Sequence, residues 1–132
     1  MKKILFVLCI FSSVANAEIS CEDAGGTLFK GNDGKTEYCL SYHGMNWWSA
    51  NAWCQALGLE LVNLQTECEK KTISNSITGH CPQLNKSMER IGGLSWTKNI
   101  SASSRAMNIE LGGGIIYTGA RNELYHALCL IK

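Results

Sequence analysis

Apolar positions recur at helical spacing over one stretch of the chain and alternate over several others. Trp47, Ala50, Cys54 and Leu57 fall three or four residues apart and form a single face. Asn46 stands just ahead of them, where its side chain can accept from the orphan N–H groups of a first turn. Gly58 follows them and can take the left-handed backbone that ends a helix. The pattern predicts an amphipathic helix with both ends marked.

Shorter alternations surround it. Tyr38-Cys39-Leu40-Ser41 reads as a strand leading into the helix, and Leu59-Glu60-Leu61-Val62-Asn63-Leu64 as an extended segment leaving it. Gly25-Gly26 and Asn32-Asp33-Gly34 are turn signals in a polar N-terminal stretch around Leu28 and Phe29. Thr66-Glu67-Cys68-Glu69 matches a capping box and predicts a second helix over residues 67–76, with Ile73 and Ile77 as a narrow buried edge. Gly79 would end that helix and Pro82 would prevent its return. Residues 83–93 lack periodicity and read as a long loop, 94–97 as a short strand and 99–104 as another loop. Met107, Ile109 and Leu111 alternate, as do Ile115 and Tyr117, with Gly112-Gly113-Gly114 between them, which predicts a hairpin. Residues 125–131 make the last strand.

The start of the chain has a different character. Lys2 and Lys3, an apolar run over residues 4–11 and Ala15-Asn16-Ala17 have the form of a secretory signal peptide, residues 1–17. The apolar run is too short to span a bilayer. Removing 17 of 132 residues leaves 115, residues 18–132, enough for one domain with one core. The two signal lysines leave with it, so ten basic residues would face eleven acidic ones. Without a basic stripe, nucleic acid is excluded as an expected partner.

Cysteine usage sharpens this picture. Setting aside Cys9 in the signal leaves Cys21, Cys39, Cys54, Cys68, Cys81 and Cys129. An even count in an exported domain implies disulfides, and roughly 15 pairings are open to six cysteines. No Cys-x-x-Cys or His-x-x-x-His spacing favours a metal cluster. A bridge between Cys21 and Cys39 would close a hairpin-like N-terminal loop.

The helix with its aromatic, small residue and cysteine, and the closing Tyr125-His126-Ala127-Leu128-Cys129, resemble a C-type lectin-like domain. The segment 38–63 carries the resemblance most specifically, and Ile91-Gly92-Gly93-Leu94 echoes the family's Trp-Ile-Gly-Leu motif only faintly. The likeness is closest to small bacterial-type members. It implies an α+β fold of two helices, a small antiparallel sheet and a long loop region. It also implies pairing of Cys54 with Cys129 and, as in long-form members, of Cys21 with Cys39. Cys68 and Cys81 remain, to clip the second helix to the following loop.

The family's calcium-dependent sugar site needs a Glu-Pro-Asn or Gln-Pro-Asp triplet and a Trp-Asn-Asp triplet. Here the sole proline, Pro82, lies too early, and Arg121-Asn122-Glu123 echoes the second triplet only faintly. The expectation is therefore calcium-independent binding, with no metal and no cofactor. Trp47 and Trp96 are assigned to the core. Trp48 and Trp53 fall off the apolar face, where an indole can stack on a sugar, anchor an interface or pack beneath a neighbouring segment. Tyr117, Arg121, Asn122, Glu123 and Tyr125 gather near the closing strands and complete the expected ligand-binding set.

The three histidines have no carboxylate at a telling spacing, and every cysteine after the signal has a proposed partner, so no enzyme is expected. The functional expectation is a periplasmic or extracellular recognition module for a glycan or protein ligand on a cell surface or envelope. The alternative is a small secreted inhibitor or a structural envelope protein that uses the fold as a scaffold.

Overall fold

The computed structural model describes residues 19–73, 76–84, 88, 93–111 and 115–131, with 69–73 and 76–80 as backbone only. The signal-peptide reading, the Gly112-Gly113-Gly114 turn and most of the 83–93 loop lie outside the described residues.

The marked helix forms as read. Helix α1 runs Trp47–Ala56, and the Asn46 side chain accepts from the Ser49 N–H at 2.8 Å. Trp47, Ala50 and Cys54 are its buried face, and Gly58 closes it at φ 72°.

The second helix does not form. A single turn, α2 (Leu64–Glu67), is capped by Asn63 rather than Thr66, whose hydroxyl donates to the Asn63 carbonyl instead. Beyond it the chain makes an antiparallel hairpin of β4 (Glu69–Ile73) and β5 (Ser76–His80), with Glu69 opposite His80 and Gly79 within the ladder. Thr72, Ile73, Ile77 and Thr78 are β-branched and favour strand. Cys68 and Cys81 are joined at the open end of the hairpin with their Cα atoms 4.0 Å apart. Paired strands hold both chain ends at that crosslink, and a capping-box motif alone does not outweigh this.

The sheet corrects the expected fold class. The other strands are β1 (Gly26–Lys30), β2 (Glu37–Ser41), β3 (Glu60–Leu61), β6 (Leu94–Ala102), β7 (Arg105–Glu110), β8 (Ile116–Ala120) and β9 (His126–Ile131). They form a mixed seven-stranded sheet in the order β1-β2-β9-β6-β7-β8, with β3 also pairing β9. The β6–β9 pairing is parallel. The structure is thus dominated by sheet, in place of the expected two helices over a small antiparallel sheet with a long loop region. Strand β6 extends through the residues read as a loop, 99–102, because its outer half projects from the core and carries polar side chains that mask its period. Its register with β7 shifts twice, between Trp96 and Ile100 and between Ile100 and Ala102.

Strand β9 lies at the centre, with β2 along one edge and β3 and β6 sharing the other. Its alternation separates two clusters. Ala127 and Cys129 pack with Trp47, Ala50, Cys54 and Trp96 on the α1 side. Leu128 packs with Tyr38, Leu40, Val62, Leu64, Met88 and Ile109 on the other. Both core indoles are satisfied by backbone: Trp47 Nε1 donates to the Thr97 carbonyl at 2.9 Å and Trp96 Nε1 to the Met45 carbonyl at 2.8 Å.

The three disulfides join Cys21 to Cys39 and Cys54 to Cys129, the two pairs implied by the resemblance, and the remaining Cys68 to Cys81. They fit an oxidising, exported environment. Among the described residues no helix is long and apolar enough to cross a membrane.

The Cys54–Cys129 bond closes the longest span, 75 residues. Replacing that pair by alanine should cost roughly 4–5 kcal/mol in the loop-entropy model, against about 3 kcal/mol for the Cys68–Cys81 pair. Urea denaturation of the two double variants checks the ordering.

The aromatic–arginine face

The loop from β8 to β9, residues 121–125, is held by backbone at both ends. The Arg121 N–H donates to the Ser104 carbonyl at 2.8 Å, and the Arg121 carbonyl accepts from the Trp47 N–H at 2.9 Å. Met45 and Tyr125 exchange both backbone bonds, at 2.7 and 3.0 Å. These contacts bring the loop against the first turn of α1 and the β6–β7 turn.

Side chains then stack in the space so defined. The Arg121 guanidinium carbon lies 4.1 Å from the Trp47 ring centroid and 4.5 Å from that of Trp48. The two indoles meet edge to face at 6.5 Å. Trp47 is buried, whereas Trp48 is 50% exposed. Arg121 Nη1 donates to the Ser103 carbonyl at 2.9 Å, and its Nε is buried with no partner among the described residues. A cation over two aromatic faces is worth about 0.5–2 kcal/mol.

The other end of the loop is built on Tyr125. Its ring meets Trp96 at 4.8 Å, and a side chain on Gly119 would press closely on Asn108 Nδ2 and on the Tyr125 ring. Its hydroxyl donates to a Glu123 carboxylate oxygen. That hydrogen bond, partial burial and the Glu123 charge hold the phenol above its ordinary ionisation range, while Arg105 acts in the opposite sense. Arg105 donates to the Thr118 hydroxyl at 3.2 Å and carbonyl at 3.0 Å. Asn122 is exposed, and Tyr117, 45% exposed on β8, stands in register with buried Asn108, whose Oδ1 has no partner among the described residues.

Of the residues singled out from the sequence, Arg121 meets Trp48, and Glu123 meets Tyr125. Trp53 belongs elsewhere: it is half-buried, and its Nε1 donates to the Ala24 carbonyl at 3.2 Å, so it packs beneath the N-terminal segment. Trp47, assigned to the core alone, also forms one wall of the arginine stack. Arg105, Thr118 and the Ser103 carbonyl were not identified. No local signal could reveal them, because the partners come from α1, the β6–β7 turn and β8.

A separate apolar cleft of about 300 Å³ is lined by Ile19, Leu28, Leu57, Leu59 and Ile131 near the N-terminal disulfide. Among the described residues no three His, Cys, Asp or Glu side chains gather as a metal-binding group. No family model matches the chain, and no curated protein does.

A second phenol is shifted the same way. Burial, and hydrogen bonding of the Tyr38 hydroxyl to Glu67 at 2.6 Å, push Tyr38 far above the ordinary tyrosine value. Both folded-state values are raised, so the stabilisation is complete below the unfolded value, near pH ~10, and is lost as pH rises beyond it. Tyr38→Phe should flatten the alkaline fall in stability, measured by urea denaturation from about pH 9 to about pH 12.

Proposed function

We propose that the protein is an exported, non-enzymatic recognition module, periplasmic or extracellular, that binds a glycan or protein ligand without calcium. The binding face is the first turn of α1 together with residues 121–125. The observation that carries this reading is the Arg121 guanidinium stacked on Trp47 and on half-exposed Trp48.

Binding energy concentrates on tryptophan, tyrosine and arginine because a rigid ring or planar fork loses little freedom on contact. Here the stack and the backbone staples fix those groups in advance, which lowers the ordering cost of binding. The resemblance of residues 38–63 to C-type lectin-like domains points towards recognition as well. The sheet-dominated architecture departs from the form expected of that family, so the reading rests on the face itself.

Arrays of glycans and cell-surface proteins, probed in calcium and in EDTA, test the proposal. Ligand signal should persist in EDTA. Trp48→Ala should weaken it by about tenfold or more with the fold intact, whereas Trp53→Ala should lower stability and leave affinity unchanged. Loss of signal in EDTA, or indifference to Trp48→Ala, would overturn it.

A further inference from the structure

We propose that Trp48 and Arg121 form a subsite for an acidic saccharide, with the exposed indole taking the C–H face of a sugar ring and the guanidinium its carboxylate. This rests on the recognition face proposed above and names the ligand chemistry it suits.

Charge balance at the face is the first argument. Arg121 has no carboxylate within ion-pair distance among the described residues, and neither has Arg105. The first turn of α1 carries no acidic side chain to offset the partial positive charge of its N-terminus. The nearby acid, Glu123, already accepts the Tyr125 hydroxyl. At the face, the Arg121 guanidinium and a helix N-terminus thus stand near one engaged carboxylate.

The donor inventory of Arg121 is the second. Ser103 takes Nη1, Nε is buried without an acceptor, and no described group accepts from Nη2. With Nε buried, Nη2 is the nitrogen left for a ligand, and a carboxylate supplies the strongest bond to such a charged donor. The stack holds the guanidinium over the Trp48 ring at 4.5 Å, so one ligand can meet the exposed part of that ring and the cation together. A sugar ring can rest its C–H face on the exposed part of the Trp48 indole. Asn122, exposed and next in the chain to Arg121, can serve a ring hydroxyl.

The test compares uronic- and sialic-acid oligosaccharides with their methyl esters on an array, followed by titration calorimetry of the best pair at two salt concentrations. Polyglutamate peptide is included as a non-saccharide acid. The acid should bind at least about tenfold more tightly than its ester, with affinity falling as salt rises. Arg121→Gln should abolish the preference, and Trp48→Ala should weaken acid and ester alike. Near-UV circular dichroism reports whether Arg121→Gln remains folded, and the acid-to-ester ratio of the unaltered protein decides the matter if it does not. Equal binding of acid and ester, lost in Trp48→Ala, would overturn the anionic subsite and leave the recognition face standing. Capture of polyglutamate without any glycan would overturn the saccharide. Failure of every glycan and protein probe would overturn both proposals.

Discussion

The crosslink between Cys54 and Cys129 ties the only long helix among the described residues to the strand at the centre of the sheet. Cys129 is in register with Cys39 on one side of β9 and with Leu61 on the other. One covalent bond therefore fixes α1, the N-terminal hairpin and the segment leaving the helix relative to one another. A second bond at Cys39 holds the chain's N-terminal side to the same row. With these positions set, the α1 face can bury Ala50 completely, and Trp47 and Trp96 can reach backbone carbonyls across the interface.

The aromatic–arginine face follows from that placement. The sheet delivers β8 and β9 so that their connecting loop ends beside the start of α1. There the Trp47 N–H, an orphan donor of the first helical turn, finds the Arg121 carbonyl. The same residue then lays its side chain across both indoles. Helix capping, loop anchoring and the guanidinium stack are thus consequences of one geometry. Substitution of Arg121 touches stability as well as binding, which separates it from Trp48, whose ring is half in solvent.

The turn between the first two strands is held by different means. The turn between β1 and β2 is ordered by Asp33, whose carboxylate accepts from the Lys35 and Thr36 N–H groups and from the Thr36 hydroxyl. The Thr36 hydroxyl and those N–H groups hold the Asp33 carboxyl below its usual range. Asn32 reaches the carbonyls of Pro82 and Leu84, so this turn docks on the segment that follows the Cys68–Cys81 clip. The clip hence secures both the β4–β5 hairpin and the seat of the N-terminal turn.

Local chemistry made part of this legible in the chain itself. Asn46, the apolar spacing of Trp47, Ala50 and Cys54, and Gly58 determine α1, since caps and periodicity act within a few residues. The alternation at Met107, Ile109, Ile115 and Tyr117 determined the β7–β8 hairpin for the same reason. The fate of residues 67–80 was decided by tertiary structure. A capping box there competes with β-branched residues and with a crosslink whose partner lies 13 residues away. The outer half of β6 was hidden likewise, because a strand projecting beyond the core keeps no apolar alternation. The parallel contact of β6 with β9, and the meeting of Arg121 with Trp47 and Trp48, depend on pairings distant in sequence. Aromatic and charged residue types can be read from the chain, but which of them face one another is set only when the sheet closes around β9.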